Sequence, residues 1–109
     1  MNGKTLLAGL ATLAALACGS SSTGNNPVGD ITVQNNSFNP STFSVPANTK
    51  VTWVWNSAGV SHNVTFPGDG EHSLTQGSGE YDRTFTTAGS YPYHCTIHGV
   101  AMSGTITVT

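Results

Sequence analysis

Cys95, His98 and Met102 stand together in one short stretch, Tyr91-Pro-Tyr-His-Cys-Thr-Ile-His-Gly-Val-Ala-Met102. A thiol, an imidazole and a thioether are thereby offered side by side, and a second imidazole, His62, lies upstream in Ser61-His-Asn-Val64. Two imidazoles, one thiolate and a weak thioether make the ligand set of a blue-copper electron-transfer site. Reduced copper favours sulfur and oxidised copper favours nitrogen. A rigid mixed set tolerated by both lets an electron move with little rearrangement. The Cys-x-x-His spacing would bring His98 back over the ion held by Cys95, and the loop would reach Met102 before the last strand begins. His62 must arrive from a different strand.

Each of these residues has a plainer reading. Alone, Cys95 would be a buried structural thiol, His62 a strand-end histidine and Met102 ordinary core; the joint spacing in a β context favours copper. Zinc also uses Cys-x-x-His spacing, but a structural zinc takes four nitrogen or sulfur ligands and is not served by a thioether. A Cys95–His62 nucleophilic pair is chemically conceivable, yet so small a domain has little room for a substrate pocket, and no enzyme is expected. His72 and His94 are expected to be solvent-exposed and without a metal. Trp53, Trp55, Phe43 and Phe85 read as core.

The elements that must position these residues are short strands. Ile31-Thr-Val33 and Thr42-Phe-Ser-Val45 alternate apolar and polar, with Pro46 ending the second. Lys50 to Trp55 sets Val51, Trp53 and Trp55 on one face and Thr52 and Val54 on the other, as in a central strand. His62, Val64 and Phe66 would share a face of the next strand, and Pro67-Gly-Asp-Gly70 signals a turn. The region from Glu71 to Glu80 has no period and reads as loop. Strands resume at Tyr81 to Thr86, at Tyr91 to Cys95 and at Gly104 to Thr109, with Ile106 and Val108 facing inward. Pro92 cannot donate to a ladder and belongs at an edge or a strand start. The pattern predicts an all-β Greek-key sandwich or barrel of about seven to eight strands.

Composition agrees. The chain has 109 residues, room for one domain. Only 7% of residues are charged and 13 are Gly, which suits strands joined by tight turns. A formal net charge of −2 lacks the basic footprint of a nucleic-acid binder, so no nucleic-acid partner is expected.

The first residues read as an export signal. Lys4 precedes an apolar run from Leu6 to Ala17, shorter than the roughly 20 residues of a membrane span and suited to a signal-peptide core. Residues 1–17 are therefore expected to be removed. Ala15-Leu-Ala17 would serve simple cleavage. Followed by Cys18, the same residues resemble a bacterial lipobox, in which Cys18 is lipidated, and this route is favoured. Residues 18–29 would then form a flexible polar linker and residues 30–109 the copper-binding domain, exported to the periplasm or cell surface. With Cys18 acylated, Cys95 is a lone thiol in an oxidising compartment, a liability that a bound metal would remove.

Beyond the ligands, the whole domain resembles the small cupredoxins of the plastocyanin, amicyanin and halocyanin group. Phe38-Asn-Pro40, Phe43-Ser-Val-Pro46, Val51-Thr-Trp53, His62-Asn-Val64, Phe85 through Gly89, and Tyr91-x-Tyr-His-Cys-Thr-Ile-His98 fall in family order. The resemblance implies His62, Cys95, His98 and Met102 as ligands of one copper ion cycling between Cu(I) and Cu(II). It implies that Asn63, directly after the first His, braces the Cys loop, with Thr96 as partner. Where plastocyanins usually carry an aromatic residue before the Cys, this chain has His94, which leaves the edge of His98 as the electron route. One-electron carriage between transient redox partners, by a monomer tethered to the membrane, is the expected role. Copper storage or delivery is the alternative.

Overall fold

The computed structural model describes residues 29–109. The expected signal segment, Cys18 and all but the last residue of the linker lie outside the described residues. Seven strands follow in order: β1 (Ile31–Gln34), β2 (Ser37–Asn39), β3 (Thr42–Val45), β4 (Thr49–Trp55), β5 (Glu80–Phe85), β6 (Gly89–Cys95) and β7 (Gly99–Val108). They form two sheets, ordered β2-β1-β4-β5 and β3-β7-β6, and no helix occurs among the described residues. The pairs β1/β4 and β3/β7 are parallel and the others antiparallel. This is the all-β sandwich the strand pattern predicts.

Alternation decides which faces meet. Ile31 and Val33 of β1, Val51, Trp53 and Trp55 of β4, and Tyr93 and Cys95 of β6 are buried, and Ile106 and Val108 of β7 join them. Val54 is buried as well, because β4 lies between two neighbours and the chain at Gly29 covers its outer face. Aromatic rings fill the space between the sheets in edge-to-face contacts, Trp53 against Tyr93 at 5.5 Å and against Phe66 at 5.9 Å between centroids. Pro92 stands on β6, an edge strand, where its missing N–H leaves no ladder position unfilled toward a further neighbour.

Two expectations are corrected. The segment from His62 to Phe66 is no regular strand: it makes only isolated bridges, His62 to Gln76 and Thr65 to both His72 and His94. Side chains take the place of a ladder there, since the Ser73 hydroxyl accepts the Val64 N–H at 2.9 Å and Asn63 Oδ1 accepts the Thr96 N–H at 3.0 Å. His62, Asn63, Val64 and Phe66 are all buried, so the alternation of a half-buried strand is absent. The strand pattern also leaves out β2, three residues around the buried Phe38 and too short to show a period. Secondly, β7 begins at Gly99, five residues before the expected start. Gly99 takes the left-handed backbone (φ 66°) and pairs with Cys95 beside a register shift, which turns the chain sharply enough for pairing to resume at once. Met102 therefore sits inside a strand.

Candidate metal centre

Cys95 is the last residue of β6, and His98 follows in the tight turn that leads into β7. Met102 lies on β7, while His62 comes from the long connection between β4 and β5. The sandwich thus brings the upstream imidazole to the same end as the Cys-x-x-His turn. Cys95 Sγ lies 3.9 Å from His62 Nδ1 and 3.8 Å from His98 Nδ1. One ligand atom from each of the three residues falls within 4.8 Å of the other two, and the two imidazole centroids are 5.1 Å apart. Met102 is 1% exposed and belongs to the same buried cluster as Cys95.

These spacings fit a metal ion. Donors held about 2.0–2.3 Å from one first-row ion and spread about 120° apart lie about 3.8 Å from each other. Both sulfur–nitrogen separations are of that size. The donor set, two imidazoles, a thiol and a nearby thioether, suits copper better than zinc or magnesium. Cys95 is a free, buried thiol. His62 and Cys95 are fully buried, whereas His98 is exposed. Burial, with the neighbouring His98 adding to it, holds the pKa of His62 below the usual imidazole value. The ring is thereby kept neutral, as a metal ligand must be.

The surroundings hold the donors still. Asn63 is the hub: its backbone N–H donates to Cys95 Sγ at 3.5 Å. Its Nδ2 donates to Thr96 Oγ1 at 2.8 Å and to Thr75 Oγ1 at 3.0 Å. Its Oδ1 accepts from the Thr96 N–H and from Thr65 Oγ1, the latter at 2.9 Å. A single side chain therefore ties the His62 segment to the Cys95–His98 turn and to the loop before β5. The His62 backbone is clamped separately, by a reciprocal pair of bonds with Gln76 and by Trp55 Nε1 donating to its carbonyl at 3.2 Å.

Sequence reasoning does not find Asn35, whose Oδ1 lies 3.1 Å from His62 Nε2, nor the part taken by Thr65 and Thr75. An Asn-Asn pair reads as a turn and nothing more. His72 and His94 lie apart from the three converging donors. His72 is exposed, with Nδ1 bonded to the Ser73 carbonyl at 2.9 Å. His94, expected in solvent, is half-buried because its backbone exchanges both hydrogen bonds with Thr65.

Known proteins resemble this chain in sequence and fold. The family model described as copper binding proteins, plastocyanin/azurin family, matches residues 28–109. The plastocyanin of Scenedesmus fuscus is 39% identical over 84 residues, spanning 65% of this chain and 85% of the relative. A reduced amicyanin variant superposes with a TM-score of 0.63 at 30% identity, covering 72% of this chain and 79% of that one. A copper-containing nitrite reductase from Thermus scotoductus superposes with a TM-score of 0.64 at 26% identity, over 84% of this chain and 25% of that one.

Proposed function

Since the chain belongs to the plastocyanin/azurin family of copper-binding proteins, we infer that it is a blue-copper carrier of single electrons. His62, Cys95, His98 and Met102 are its proposed ligands. When bound, copper would supply a one-electron couple between Cu(I) and Cu(II). The observation that carries the reading is the pair of 3.8 and 3.9 Å separations between one buried sulfur and two imidazole nitrogens. They converge from two separate segments, each braced by Asn63. Such bracing keeps the donors in place whichever charge the site carries, which is what rapid electron exchange requires.

The protein residues have distinct parts in this reading. Cys95 gives a thiolate, and the Asn63 N–H on its sulfur fixes the direction of its lone pairs. His62 and Met102, both buried, keep water from that side. His98 alone is exposed, so its outer edge is the proposed route for electrons. Ile97 and Val100, 53% and 85% exposed, flank it in sequence and offer an apolar surface to transient redox partners. The burial of His62 and Cys95 favours a carrier over an enzyme. The nitrite reductase shares only a quarter of its length with this chain.

Film voltammetry of the copper-loaded domain tests the function. A reversible one-electron wave that persists through repeated cycles is predicted; a redox-silent complex would leave copper storage or delivery as the role. The proposed site of action is the cell envelope, with residues 1–17 removed and Cys18 lipidated. Mass spectrometry of the mature chain should find acylated Cys18 in the membrane fraction. A soluble, unmodified chain would remove the anchor.

A further inference from the structure

We propose that Asn35 is a positioning residue for the buried imidazole: its side-chain carbonyl accepts the His62 Nε2–H and so leaves the Nδ1 lone pair facing Cys95. The inference rests on the copper reading of the site and names a device within it. The two ring nitrogens of His62 point in different directions, Nδ1 toward Cys95 Sγ at 3.9 Å and Nε2 toward Asn35 Oδ1 at 3.1 Å. Every other bond described for this residue, from Gln76 and from Trp55 Nε1, is to its backbone. Those clamps place the Cα but select neither the rotation of the ring nor the nitrogen that carries the proton. Asn35 addresses the ring itself. A neutral imidazole has one donor and one acceptor nitrogen, so fixing the donor at Nε2 fixes the acceptor at Nδ1.

The sequence around Asn35 is built to hold it there. Asn35 and Asn36 are the two residues of the turn joining β1 and β2, with Gln34 opposite Ser37 in the ladder. Asn36 absorbs the left-handed backbone (φ 66°), which Asn tolerates better than most residues. The Ser37 hydroxyl donates to Gln34 Oε1 at 3.2 Å across the base of the turn. Val33 and Trp55 are paired neighbours on β1 and β4, and the Asn56 N–H donates to the Val33 carbonyl at 2.9 Å. The turn is thus fastened to the end of β4 from which the His62 connection departs. Outer partners that orient a ligating imidazole typically govern metal affinity by about 10–100-fold.

Two variants in the full-length mature domain test this. In copper-free wild type, nitrogen NMR of the His62 ring should show the proton on Nε2. Asn35→Ala should leave a mixture of tautomers and lower Cu(II) affinity about 10-fold or more in a chelator competition. Asn35→Asp, which keeps the acceptor, should restore both, with a lower reduction potential because the added negative charge favours the oxidised ion. The turn is exposed, and a thermal melt of each copper-free variant separates lost positioning from lost folding. A wild-type proton on Nδ1, or an Asn35→Ala variant with unchanged tautomer or affinity, would overturn the proposal. So would an Asn35→Asp variant that behaves as Asn35→Ala. The tautomer is read without copper, so a wild type that fixes Nε2–H yet binds copper without a thiolate bond would sink the copper reading alone.

Discussion

At the scale of single residues, the centre divides into what sequence spacing reveals and what only the fold brings together. Cys95, His98 and Met102 are legible because one short stretch carries them, and local spacing is visible in a sequence. His62 is legible only as an upstream imidazole that a sandwich would carry to the same end. Asn63 is marked by its place after that histidine, but its four side-chain bonds reach Thr65, Thr75 and Thr96, and no linear pattern encodes three such targets. Asn35 is hidden altogether, 27 residues from the ring it addresses. Asn63 is 4% exposed, while Thr75 and Thr96 at the far ends of its bonds reach the surface. Replacing it by Ala strips the Thr96 N–H and three hydroxyls, those of Thr65, Thr75 and Thr96, of their partner. The cost should be about 2–4 kcal/mol, read as a lower thermal midpoint of the copper-free domain. An Asn63→Ala variant as stable as wild type would show that water serves those groups equally well.

At the scale of elements, period-two strands were the readable part. β1, β3, β4 and the inward face of β7 follow from alternating residues, since one side of each must enter the core. The connection from His62 to Gln76 was not readable, because its backbone is satisfied by side chains and isolated bridges rather than by a ladder. It is also the connection that carries a proposed ligand. The β6–β7 pair must remain close for the Cys95 turn to keep its shape, and Gly104 permits that closeness. A Cβ at Gly104 would lie 2.6 Å from Tyr93 Cζ and 2.8 Å from the Ser41 carbonyl oxygen. Both are fixed atoms, one in a buried ring and one in backbone. Gly104→Ala should therefore destabilise the domain by about 1–3 kcal/mol, measured by denaturant unfolding. Unchanged stability would mean that β7 can shift outward at no cost.

At the scale of the whole molecule, acids close in sequence turn out to share one surface around Arg83. Asp69, Glu71 and Asp82 line a shallow concavity with it, and Asp69 forms an ion pair with its guanidinium. The guanidinium also lies 4.5 Å over the Phe66 ring and 4.6 Å over Phe85. This arrangement, with the buried His62 and Tyr93, sets how stability follows pH. Burial lowers the His62 pKa below 6.5, so its contribution is full above pH 6.5 and is lost as pH falls and the unfolded chain takes up the proton. Arg83 lowers that of Asp69 below 3.8, adding a second loss in stronger acid. Burial raises Tyr93 from 10.0 to about 12, so its contribution is full below pH 10.0 and fades as pH climbs toward about 12. The thermal midpoint of copper-free protein should form a plateau between these limits. His62→Gln should flatten the first acid decline and Tyr93→Phe the alkaline one. An acid limb that His62→Gln leaves unchanged would contradict the linkage.

The measurement that bears most directly on the central claim is a visible-light titration of the mature domain with Cu(II). The four proposed donors predict an intense thiolate-to-copper absorption that saturates at one ion per chain and vanishes in Cys95→Ala. A colourless complex, or an absorption that survives the loss of Cys95, would contradict the account.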